Sequence, residues 1–157
     1  MKPILPVVFA FLIAPAAPAA GQNLPGYQGD YDTAEAQFRA YALEEMQKVL
    51  TAWTEAALDK DVDAAMGHYA PNAFVYLDGV ARGTEQVRER LTSWLDGVDD
   101  FRIGLSDFDA SGSMSYASVS IVINAVNPDD DADGTLVFVL HRQGRNWRIR
   151  SQTLVLN

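Results

Sequence analysis

The chain has 157 residues, a formal net charge of −9 and no cysteine. That length suits one domain, and 48% apolar with 21% charged residues suits a folded chain rather than a disordered one. The acidity disfavours phosphate backbones and anionic lipid as partners, and the lack of thiols excludes disulfides, thiolate catalysis and Cys-type zinc sites.

The first twenty residues have the pattern of a signal peptide. Lys2 gives a positive start, Ile4–Ile13 is apolar, and Ala14–Ala20 is small and broken by proline, with A-x-A sites at Ala14–Ala16 and Ala17–Ala19. The apolar run is shorter than the roughly 20 residues a spanning helix needs. Export to a periplasm or the outside is expected, with no membrane attachment after cleavage. The mature chain loses only Lys2 from the charge count, so 11 basic residues face 21 acidic ones and the net is −10.

Residues 21–33 read as a flexible leader, and a single domain is expected over 34–157. Thr33 is the expected N-cap of a long helix from Ala34 to Lys60, whose stripe is Phe38, Ala42, Met46, Leu50, Trp53 and Ala57. Asp61 is expected to cap a short second helix that buries Val62, Ala65, Met66 and Tyr69 and stops at Pro71. Ala73–Asp78 reads as a strand, Val80–Arg82 as a second short one. Thr84 is the expected cap of a third helix carrying Val87, Leu91, Trp94 and Leu95, with Glu85 in its first turn.

Beyond Gly97 the apolar period changes to two. Phe101, Ile103 and Leu105 share one face. So do Val119, Ile121 and Ile123, then Leu136, Phe138 and Leu140, and finally Trp147, Ile149, Ser151, Thr153 and Val155. The turns Asp109–Ser113, Asn127–Gly134 and Gln143–Asn146 make these four strands antiparallel neighbours. The order predicts an α+β domain: a strongly curved, mostly antiparallel sheet packed on three helices. The hollow between sheet and helices is the expected pocket.

Asp129, Asp131 and Asp133 with Gly134 have the D-x-D-x-D-G spacing of a calcium loop. The twelfth position, which needs a bidentate carboxylate, is Leu140, and strands flank the run where helices are required. An acidic hairpin turn is therefore expected, without a metal, and no cofactor motif is present.

Two segments, Trp53–Asp61 (WTEAALDKD) and Met66–Ala73 (MGHYAPNA), resemble the opening of the nuclear-transport-factor-2-like superfamily, in its SnoaL-like branch. Gly83–Val87 (GTEQV) and Arg142–Ile149 (RQGRNWRI) resemble its third helix and closing hairpin. The resemblance covers about residues 35–156 and implies a cone-shaped sheet and, in many members, a homodimer through that sheet. It does not carry over the isomerase chemistry of some members. Trp53 stands where those enzymes have a tyrosine donor, Leu77 where they have the aspartate base, and Phe138 near their acid partner. The histidine that follows W-R-I in other members is absent, since Arg150, Ser151 and Gln152 stand there.

The candidate pocket residues are Trp53, Tyr69, Tyr76, Trp94 and Trp147, with Arg150 or Gln152 as polar contacts. The same aromatics are also the ordinary material of a core. Weak catalytic candidates are Asp78, Tyr76 and His141. His68 has no evident role, and Asp78, Arg82 and Glu85 are expected near one turn. Two readings follow. One is a non-catalytic module that binds a small apolar or amphipathic ligand or assembles through its sheet. The other is an isomerase, dehydratase or cyclase using Asp78 with Tyr76 or His141.

Overall fold

A computed structural model describes residues 28–77 and 79–157, with side chains from residue 33 onward. The expected signal peptide, most of the leader and Asp78 lie outside the described residues. The elements are α1 (Gln28–Leu58), α2 (Val62–Met66), β1 (Tyr69–Tyr76), β2 (Val80–Arg82), α3 (Gly83–Asp96), β3 (Val98–Ser111), β4 (Met114–Ala125), a 3-10 turn at Pro128–Asp130, β5 (Ala132–Gln143) and β6 (Asn146–Leu156). Among the described residues no helix is long and apolar enough to cross a membrane.

Helix α1 extends 31 residues and begins at Gln28, six residues before the expected start, so Thr33 lies inside it rather than at its cap. Its stripe buries Ala42, Met46, Leu50, Trp53 and Ala57 at three- and four-residue steps. Lys48 pairs with Glu44 and Glu45 on the solvent side. The helix ends at Leu58, and Lys60 turns the chain with a φ of 56°. Asp61 then caps α2, its carboxylate accepting from the Ala64 N–H at 2.9 Å.

Helix α2 is shorter than expected. Tyr69 and Pro71 belong to β1, which begins four residues before the expected Ala73. The cause is tertiary: the parallel neighbour β6 recruits the early residues, with Tyr69 opposite Ile149 and the Ile149 N–H donating to the His68 carbonyl at 2.8 Å. A proline is tolerated there because the register shifts between Tyr69 and Phe74. At α3, Arg82 is the cap residue, and its N–H donates to Gln86 Oε1 at 3.1 Å. Thr84 sits inside the first turn and donates instead to the Pro71 carbonyl, at 3.3 Å.

The six-stranded sheet has the order β2-β1-β6-β5-β4-β3, antiparallel except for the β1–β6 pair. One face closes on α1 and α3 and forms the core. Along β4 and β5 the expected alternation holds, with Val119, Ile121, Ile123, Leu136, Phe138 and Leu140 all buried.

Strand β6 departs from it. Ile149 opposes Leu140, but Ser151 opposes Val139, so Arg150 is an extra residue. That β-bulge resets the two-residue period. Gln152 and Leu154 point inward after Trp147 and Ile149, and Ser151, Thr153 and Val155 point outward.

The Asn127–Gly134 turn is shorter than expected, because β5 already includes Asp133 and Gly134. A Cβ at Gly134 would lie 2.2 Å from the Val155 carbonyl oxygen. Glycine is needed there for backbone approach rather than for turning.

Candidate functional site

The hollow of the cone is filled by side chains. Trp53 stands at its centre, 0% exposed. Its ring lies 5.3 Å from Phe138, edge-on at 70°, and 6.1 Å from Phe101, tilted by 50°. Trp94 of α3 continues the stack, 5.6 Å from Phe101. These separations are those of favourable aromatic pairs, so the rings are in contact and not walls around a space.

A polar chain runs through this core. Trp53 Nε1 donates to the Tyr69 hydroxyl at 3.0 Å, and that hydroxyl donates to Gln152 Oε1. The direction follows from proton count: the phenol accepts from the indole, so its one proton goes to the amide oxygen. Burial pushes the Tyr69 phenol well above its ordinary range, and the hydrogen bond from Trp53 only partly opposes this. Tyr69 is therefore a neutral donor already committed to Gln152. Gln152 Nε2, Trp147 Nε1 and Ser115 Oγ are buried without a hydrogen-bond partner among the described residues.

The sequence-expected pocket residues divide into two groups. Trp53, Tyr69, Trp94, Trp147 and Gln152 face the interior. Tyr76 does not: it is 46% exposed, on the opposite side of β1 from Val75 and Leu77. Arg150, the bulge residue, reaches the Asn72 carbonyl and stays half-exposed. His141 alternates with buried Leu140 and lies on the outer face, cross-strand from Arg148 and Met114. Tyr76 and His141 therefore cannot act together inside the cone. Strand parity decides this, since neighbouring residues take opposite faces. His68 is half-buried, its pKa lowered first by burial and then by the Arg148 charge.

A shallow apolar cleft opens where α1 crosses β3 and β4, lined by Met46, Gln47, Leu50, Thr51, Ile103, Leu105 and Val119. It offers about 10 Å³, the room of a single water. The sequence pattern did not single it out, because the crossing of α1 over β3 is a non-local contact.

The aspartates of the β4–β5 turn serve the turn itself. Asp131 accepts from the Ala125 N–H at 2.7 Å, Asp130 from Asn127 Nδ2 at 3.0 Å, and Asp133 from Asn157 Nδ2 at 2.5 Å. No group of three His, Cys, Asp or Glu side chains is placed to hold a metal ion among the described residues.

A mixed, open six-stranded sheet packed on three helices is the fold of the nuclear-transport-factor-2-like superfamily. Within it the chain belongs to the SnoaL-like domain family, which matches residues 46–154. A ketosteroid isomerase-like protein from Erwinia carotovora atroseptica is similar in structure, with a TM-score of 0.65 and 15% identity over 73% of this chain and 95% of that one. A protein of unknown function from Mycobacterium tuberculosis has a TM-score of 0.64 and 18% identity over 76% of this chain and 78% of that one. An NTF-2 like protein of unknown function from Shewanella oneidensis has a TM-score of 0.62 and 12% identity, covering 72% and 98%. At these identities the likeness is one of fold. No protein of curated function matches the chain.

Proposed function

We propose that this chain is an exported, non-catalytic SnoaL-like module that works by assembling with a second copy through the outer face of its sheet. The observation that carries this reading is the packed cone. Trp53, Phe101, Phe138 and Trp94 occupy the volume that a substrate would need, and Trp53 Nε1 and the Tyr69 hydroxyl are engaged with one another and with Gln152 Oε1. The outer face has the complementary character. Its middle rows carry Tyr116, Val139 and Ser151, then Ser118, Val137 and Thr153, then Ser120, Thr135 and Val155. These are small, apolar or hydroxyl side chains without a formal charge, and Val122 and Val155 on that face are 51% and 55% exposed. Charge-poor surface of this kind suits the centre of an interface. Export is supported by the N-terminal sequence alone.

Light scattering coupled to size exclusion tests the proposal. The mature protein should elute as a dimer. Val137→Arg should elute as a monomer that is still folded by circular dichroism but melts below the wild type, because an uncompensated charge at the centre of the face opposes burial there and the stabilisation that dimer formation gives the native state is lost. A wild-type monomer at all concentrations would overturn the assembly role. A thermal shift above several degrees with an amphipathic metabolite would point instead to a ligand entering beside α1.

A further inference from the structure

The positive charge of this acidic chain gathers at one end of the sheet. The segment His141–Arg150 (HRQGRNWRIR) holds four of the twelve Lys and Arg residues and no carboxylate. Both histidines of the chain stand at that end. On the outer face Met114, His141 and Arg148 form one row across β4, β5 and β6, each opposite the next. His68 continues the row beyond Arg148. Its carbonyl accepts the Ile149 N–H at 2.8 Å, and its half-buried imidazole feels the Arg148 charge. Neighbouring strands are about 4.8 Å apart, so the two imidazoles flank Arg148 within reach of one small group.

No carboxylate pairs with Arg145, Arg148 or Arg150 among the described residues. Arg150 is engaged with the Asn72 carbonyl, which leaves Arg148 as the cation with open donors at the centre of the row. The carboxylates that the register brings nearest on this face are Asp107 and Asp109 of β3, two strands from His141. Both are engaged: Asp107 accepts from the Tyr116 hydroxyl, and Asp109 pairs with Arg39 at 3.1 Å. On the helix side, Asp63 of α2 pairs with Arg88.

We propose that Arg148, flanked by His68 and His141, binds a terminal tetrahedral oxyanion, the group shared by inorganic phosphate or sulfate and their small monoesters. The guanidinium fork takes two oxygens, and a tetrahedral group has further oxygens for the imidazole N–H donors on either side. A carboxylate has only the two that the fork already holds. The net charge of −9 repels a long polyanion along its length, whereas a small ion stays within a Debye length of the patch, about 10 Å at 0.1 M salt. The row lies one step beyond Tyr116, Val139 and Ser151, at the rim of the assembly face, where charged groups are ordinary. The site therefore does not depend on the assembly reading.

Histidine NMR tests it, because the only two imidazoles of the chain both belong to the row. Sodium sulfate is titrated in, with sodium chloride holding the ionic strength constant. Both imidazoles should shift saturably with one millimolar dissociation constant. His68 should also titrate at higher pH than in chloride alone, because the anion offsets the burial and the Arg148 charge that hold its pKa down. Arg148→Gln should weaken binding by about tenfold or more. Arg148→Lys should weaken it several-fold, since an ammonium lacks the fork. Arg102→Gln, on the same face but at the other end of the sheet, should leave it unchanged. Circular dichroism confirms that each variant is folded. Methyl phosphate against inorganic phosphate separates the sources: tighter binding of the ester assigns the site to a monoester, and equal binding assigns it to the free ion. No saturable shift, an equal response to malonate, or full binding by Arg148→Gln overturns the site and leaves the assembly reading standing.

Discussion

Trp53→Ala lowers the stability of the domain by about 3–5 kcal/mol, the cost of deleting a large aromatic from a closed core. The figure follows from the position of the ring. It is fully buried, touches Phe101 and Phe138, and connects α1 to the sheet. Its removal takes away the transfer free energy of the indole and leaves a cavity. That cavity cannot readily collapse, because β3 and β5 are fixed by their ladders and α1 by Ala42, Met46, Leu50 and Ala57. It also leaves the Tyr69 hydroxyl without its donor. The urea midpoint should fall sharply with an unchanged slope. A loss below about 1 kcal/mol would mean that Trp53 lines a hydrated space, since only solvated positions tolerate such a deletion.

Tyr69→Phe is the second large effect, although it removes a single oxygen. Among the described residues the hydroxyl is the only bridge between Trp53 Nε1 and Gln152 Oε1. Without it, a buried donor and a buried acceptor both lose their partners, at about 1–3 kcal/mol each. Gln152 is already under-satisfied, because its Nε2 has no partner. The double variant Tyr69→Phe, Gln152→Leu should therefore be more stable than the sum of the single losses predicts, since leucine removes the orphaned amide altogether. A double-mutant cycle in urea measures that coupling. Strict additivity would show that the three side chains are not one network.

The architecture was largely legible in the sequence, for reasons that can be assigned to particular residues. The stripe from Ala42 to Ala57 and the alternation from Val119 to Ile123 and from Leu136 to Leu140 are strong periodic patterns, and the short turns between the last four strands leave little topological choice. The failures occur where a non-local contact overrides a local one. Tyr69 fits a helical stripe after Met66, but pairing with β6 draws it into a strand. Ser151, Thr153 and Val155 continue the alternation of Ile149 on paper, yet the extra residue Arg150 turns them outward and brings Gln152 in.

The interior was legible in composition and less so in geometry. Trp53, Tyr69, Trp94, Trp147 and Gln152 stand out as pocket candidates, and all five face the core. Nothing in their spacing tells whether they line a hollow or fill it, because that depends on Phe101 of β3 and Phe138 of β5 meeting Trp53 of α1. Tyr76 was harder, because it is one residue from a buried neighbour and a one-residue difference on a strand reverses the face, whereas His141 has the parity of Val137 and Val139, opposite Leu136, Phe138 and Leu140. The D-x-D-x-D-G run marks the β4–β5 connection, and its carboxylates are spent on the backbone and side chains of that turn.

A crystal structure of the protein purified from its native compartment tests the central claim most directly, since one map shows both the cone and the outer face. The account predicts Trp53 packed between Phe101 and Phe138, and a second copy packed on the outer face of the sheet. Density for a small molecule inside the cone, with Trp53 displaced and the outer face bare, would contradict it.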